Sequence, residues 1–72
     1  MKTCIFTFQS IHYVLKAEKL LLENNITPTI IPTPRDLSSN CGMSLRTIEK
    51  HKDEIMKILI KNNISTNYHL RD

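Results

Sequence analysis

Glycine is nearly missing from this chain: one residue in 72, Gly42. Phosphate-cradling loops of both common kinds need several glycines to bring backbone amides against an anion, so neither can be built here. Tryptophan is absent, yet hydrophobic residues make up 40% and charged residues 24%, the balance of a globular chain rather than a disordered one. Two cysteines, Cys4 and Cys41, are too few for a disulfide scaffold or for a four-thiolate zinc or cluster site. No apolar run is long enough for a signal peptide or a membrane-spanning helix. The expected setting is a reducing cytoplasm, where an exposed cysteine is more often chemical than structural. The length leaves room for one domain over residues 1–72, whose thin core buries roughly 60% of the surface of the unfolded chain. The net charge of +3 is compatible with an anionic partner without requiring one.

What is present is a clear alternation of patterns. Thr3 to Phe8 alternates with β-branched and aromatic residues, which predicts a strand with Cys4, Phe6 and Phe8 on one face. Ser10 offers an N-cap, after which Tyr13, Val14, Ala17, Leu20 and Leu21 recur at helical spacing. Asn24-Asn25 ends that helix, since asparagine tolerates the left-handed position that follows a helix better than other non-glycine residues. Thr29 to Ile31 is a short strand bracketed by Pro28 and Pro32, which suits a sheet edge. A polar connection from Pro32 to Asn40 leads to a third strand, Met43 to Glu49, with Met43, Leu45 and Thr47 facing one way. A second helix carries Ile55, Met56, Ile58 and Leu59 and stops at Asn62-Asn63. Ser65 to Leu70 is the last strand, with Thr66, Tyr68 and Leu70 on one side.

The order β-α-β-β-α-β predicts a ferredoxin-like α+β fold: four antiparallel strands ordered 4-1-3-2, with both helices on one face. The halves echo each other, Glu23-Asn24-Asn25-Ile26 recurring as Lys61-Asn62-Asn63-Ile64. In this topology the start of the third strand lies beside the end of the first. Cys41 is therefore expected near the start of the first helix, close to Ser10 and His12, with Pro34-Arg35 at the same end.

Cys41 is the strongest chemical candidate. It lies in the polar loop Ser38-Ser39-Asn40-Cys41-Gly42 and is followed by the only glycine, which permits unusual backbone angles and close approach to the sulfur. A helix N-terminus, Arg35 and His12 nearby would favour the thiolate. On the residues alone two readings stay open: a reactive thiol, or a small loop residue beside a turn. Cys4, alternating with Phe6 and Phe8, is expected in the core as a small hydrophobe, too far from Cys41 for a disulfide. His12, His51 and His69 show no metal-ligand spacing. Glu18, Glu23, Asp53 and Glu54 read as solvated helix charges. The third strand carries no aromatic and the basic residues are not clustered, which argues against a nucleic-acid-binding sheet face.

The residues Phe8, Ala17-Glu18-Lys19, Ile31-Pro32-Thr33-Pro34-Arg35 and Ser38-Ser39-Asn40-Cys41-Gly42 together resemble the putative selenium/sulfur carrier protein-like family, short and mostly bacterial proteins. Pro-Arg followed by Ser-x-x-Cys-Gly is the most specific part of the likeness. The resemblance implies a carrier or accessory protein rather than a stand-alone enzyme, with no cofactor of its own. Cys41, expected to be exposed, would hold a persulfide or selenopersulfide, and Arg35, Ser38 and Gly42 would be its surroundings. It also implies a donor, either a cysteine desulfurase or a selenium-delivering enzyme, and an acceptor protein. The competing expectation is a non-catalytic module that binds or homodimerises through its sheet, with Cys41-Gly42 as a structural or ligand-binding turn.

Overall fold

Two helices pack on one face of a four-stranded antiparallel sheet in a computed structural model that describes residues 2–38 and 41–72. The elements are β1 (Thr3–Thr7), α1 (Ile11–Glu23), β2 (Thr29–Pro32), β3 (Met43–Ile48), a short 3₁₀ turn (Glu49–His51), α2 (Lys52–Lys61) and β4 (Asn67–Arg71). The strand order β2-β3-β1-β4 is the expected 4-1-3-2 read from the other edge, and the fold is ferredoxin-like. Alternation along β1 sends Cys4 and Phe6 toward the helices, where both are fully buried with Phe8, Leu45, Val14, Ala17, Leu21, Ile55 and Leu59. Each large side chain in this cluster contributes roughly 1.5–3 kcal/mol by leaving water.

Several local expectations need adjustment. Ser10 takes the N-cap position of α1 with extended backbone, but its hydroxyl makes no capping bond. Its carbonyl instead accepts the amides of Tyr13 (3.1 Å) and Val14 (3.3 Å). Tyr13, expected on the buried stripe, is exposed and sets its ring edge-on to His12 at 5.2 Å. The third strand ends at Ile48, not Glu49, because the chain turns there into the 3₁₀ segment Glu49–His51, although the Glu49 amide still bonds the Lys2 carbonyl in register at 3.1 Å. Pairing of the last strand begins at Asn67, not Ser65. Tyr68 and Leu70 share the helix-facing side with Cys4 and Phe6 through their register. Both remain exposed because β4 is an edge, and the Lys52 ammonium stands 4.4 Å over the Tyr68 ring.

The sequence echo has a structural meaning. Asn25 and Asn63 are the two non-glycine residues with positive φ among those described, at 62° and 58°. In α1 the Ile26 amide bonds the Leu21 carbonyl and the Asn25 amide bonds that of Leu22. In α2 the Ile64 amide bonds Leu59 and the Asn63 amide bonds Ile60. These are two copies of one Schellman stop, each closed by a buried pair, Leu21 with Ile26 and Leu59 with Ile64. The preceding asparagines add a further bond, Asn24 Nδ2 to the Leu20 carbonyl and Asn62 Nδ2 to the Ile58 carbonyl, both 2.8 Å.

The second face of the sheet departs from a plain two-layer domain. Ile5, Thr7 and Ser44 point away from the helices, where an antiparallel sheet is commonly solvated, yet they are only 5%, 5% and 0% exposed. The described start of the β2–β3 connection, residues 33–38, crosses this face. Thr33 bonds Ser44 hydroxyl to hydroxyl at 2.7 Å on β3, and Asp36 accepts a 2.7 Å charged hydrogen bond from Arg71 on the far edge strand β4. Residues 33–38 thus form a strap that runs from one edge of the sheet to the other.

Candidate functional site

Cys41 lies between the end of β1 and the start of β3. Its sulfur is 3.6 Å from the Phe8 carbonyl, just past the end of β1, and 3.2 Å from the Met43 carbonyl at the start of β3. Both partners are acceptors, so in this arrangement the thiol is the donor. The side chain is partly buried and packs against the core cluster. Cys41 is thus neither a fully solvated loop residue nor a core residue: one side of the sulfur is packed and the residue borders the surface.

Gly42 is exposed, with φ at +73°. A Cβ built there would meet nothing within 4 Å. Glycine is therefore required by backbone conformation and not by crowding. Its carbonyl accepts the Thr33 amide at 2.9 Å, which closes the base of the strap directly beside the cysteine. Ser38 is exposed and lines a polar cleft of about 290 Å³ with Thr7, Phe8, Gln9, Thr66 and Asn67. Phe8 is common to this cleft and to the sulfur's contacts. Ser39 and Asn40, the middle of the expected motif, lie outside the described residues.

The remaining candidates divide. Ser10 begins α1 two residues after Phe8, so it shares the cysteine's end of the sheet. His12 is exposed in the first turn of α1 and its ring contact is Tyr13. Arg35 is exposed in the turn closed by the Leu37 amide on the Pro34 carbonyl (3.0 Å). On one side this turn leads to β4 through Asp36, and on the other Pro34 follows Thr33, whose amide bonds the Gly42 carbonyl at the cysteine's end. Asp36 and Arg71 were missed by sequence reasoning. They stand 35 positions apart, and each alone reads as an ordinary surface charge.

Burial separates the two cysteines: Cys4 is fully buried and Cys41 only half-buried. Burial pushes the Cys4 thiol above its ordinary value, with a backbone hydrogen bond at His69 opposing that shift. Cys4 is therefore an inert core thiol. The Arg71 guanidinium holds the Asp36 carboxyl below its usual range, with a smaller contribution from His69. Among the described residues no three His, Cys, Asp or Glu side chains come together as a metal site. No described helix is long and apolar enough to cross a membrane.

A ferredoxin-like domain with one half-buried cysteine at the end of its central strands is the class that fold and site define. The chain belongs to the family described as Putative Se/S carrier protein-like, whose model matches residues 3–69. That span includes the strap, Cys41 and all four strands but for the end of β4. No curated protein and no solved structure gives a significant match.

Proposed function

We propose that the protein carries sulfur or selenium on Cys41 and passes it between partner proteins. The observation that supports this reading is the position of Cys41 within a matched carrier-family span: a half-buried thiol between the end of β1 and the start of β3, held on the carbonyl of Phe8, a residue that also lines a polar cleft. A carrier of this kind needs one thiol that a partner can reach and a scaffold small enough to dock, without an enclosed substrate pocket.

The chemistry is an exchange between thiols. The Cys41 sulfur attacks the terminal sulfur of a donor persulfide, the donor's S–S bond breaks, and the donor leaves as its thiol after one proton is transferred. Cys41 then holds a persulfide, a reversible cap on cysteine. The acceptor's thiol repeats the step in the other direction, so no net oxidant or reductant is consumed. A selenopersulfide follows the same balance. The donor is a protein that itself holds a persulfide, such as a pyridoxal-phosphate-dependent cysteine desulfurase, or a selenium-delivering enzyme.

The test is intact-mass measurement after incubation with a persulfide-loaded donor. One added sulfur is expected on the wild type and on Cys4→Ser, and none on Cys41→Ser. Equal addition to Cys41→Ser, or none to the wild type, overturns the reading.

A further inference from the structure

Across Phe8 from the sulfur lies the polar cleft of about 290 Å³. Residues 7–9 wall it from the end of β1, residues 65–67 from the approach to β4, and Ser38 from the strap. None of these side chains carries a charge: besides Phe8 they are four hydroxyls and two carboxamides. Two of the hydroxyl protons are already committed. Thr66 Oγ1 donates to the Thr7 carbonyl at 2.8 Å, and Thr7 Oγ1 donates to the Asn67 carbonyl at 3.5 Å. Those two hydroxyls keep only lone pairs for a ligand. The lone pairs repel an anion, whereas they give an N–H group an acceptor. The carboxamides of Gln9 and Asn67, both exposed residues, add donors as well as acceptors. An uncharged ligand with N–H and C=O groups side by side satisfies this lining, and the polypeptide main chain is such a ligand.

We propose that this cleft binds the main chain of a partner protein, beside the cysteine that brings or receives the sulfur. Phe8 connects the two places: it lines the cleft, and its carbonyl accepts the Cys41 thiol at 3.6 Å. A donor or acceptor protein presents its sulfur on a cysteine within a polypeptide, so main-chain amides always accompany that sulfur. The volume falls just short of the roughly 300–1,000 Å³ of sites that enclose a whole small ligand, which suits a short stretch of chain. A lining that reads amides and ignores side chains accepts donor and acceptor alike, although their sequences differ. The inference rests on the carrier reading for the identity of its ligand. It concerns recognition alone, so it stands or falls separately from sulfur transfer.

The experiment compares two disulfide probes on the full chain at one fixed pH. One is acetylated and amidated glycyl-cysteinyl-glycine as its pyridyl mixed disulfide; the other is ethyl pyridyl disulfide, which has the same leaving group and no amide. In each case the Cys41 sulfur attacks the probe's alkyl sulfur and the probe's S–S bond breaks. Thiopyridone leaves with the thiol proton, so the thiol is oxidised as the pyridyl sulfur is reduced. Thiopyridone absorbance gives the rate, and peptide mass locates the product on Cys41. Each rate is divided by that of mercaptoethanol with the same probe. The wild type should favour the tripeptide roughly tenfold, the worth of one or two hydrogen bonds. Gln9→Ala and Asn67→Ala should each lower that preference roughly two- to fivefold, and a tripeptide with N-methylated amides should lose it. No preference in the wild type, or one that survives in both variants or with the methylated probe, overturns the cleft. A variant that slows both probes equally also overturns it, since the residue then acts on the thiol. Sulfate that slows the tripeptide alone, at constant ionic strength, marks an anion site and overturns it too. Persulfide loading measured beside it reports on the carrier reading: preference without loading removes the carrier and keeps the cleft, and loading without preference does the reverse.

Discussion

Gly42 and the two cysteines show how differently single residues are constrained. At Gly42 the backbone lies in the left-handed region while the space around it is open. Gly42→Ala should therefore cost about 1 kcal/mol through conformation alone, and Gly42→Asn should cost less, because asparagine tolerates that region better. Urea unfolding of the two variants checks the order, and an alanine variant as stable as wild type would contradict it. The contrast between Cys4 and Cys41 was legible in the sequence, because alternation with Phe6 and Phe8 marks a buried face and a polar, glycine-flanked loop does not. The carbonyls that receive the Cys41 thiol were not legible. Backbone acceptors carry no sequence signature, and Phe8, 33 positions away, becomes its neighbour only when β1 and β3 pair.

At the scale of the element, the helix stops were written most plainly. Asn-Asn-Ile appears twice because each helix ends in the same hydrogen-bonded motif, with asparagine in a left-handed position and isoleucine sealing the last turn. Asn25→Ala and Asn63→Ala should each destabilise the domain by about 1 kcal/mol, with near-additive effects in the double variant if the sites are independent. Asn→Gly at either site should be close to neutral. Thermal and urea unfolding read all three. Strand ends were less legible. Glu49 continues the alternation by type and its amide still pairs in register with the Lys2 carbonyl, but the chain turns into 3₁₀ geometry there, and that turn leaves no mark in the alternation.

The whole molecule adds what neither residue nor element reveals: the connection between β2 and β3 is part of the architecture. From the sequence it was a polar loop with two prolines, and its route across the sheet depends on Asp36 finding Arg71. This pair also gives the domain an acid dependence. Asp36 is held below its ordinary value of 3.8 by Arg71 first, with His69 adding a smaller effect. A carboxyl with a lowered folded value contributes stability that is fully present above its unfolded value and is lost as pH falls through the folded one. Stability of the wild type should therefore decline below about pH 4, and Asp36→Asn should show a shallower decline. Urea midpoints measured between about pH 6 and about pH 2 test the sign, and a steeper decline in Asp36→Asn would refute it.

A ladder as short as that of β2 and β3 could be closed by a two-residue turn. The longer excursion costs extra closure entropy, but only logarithmically in its length. In return, a chain too short for a thick core gains a third layer over Ile5 and its neighbours. Without it, Ile5 and the Thr7 and Ser44 hydroxyls at the centre of the sheet would face solvent on the side remote from the helices. The strap thus gives a domain with only two helices a second cover, and the centre of its sheet is closed to water on both faces.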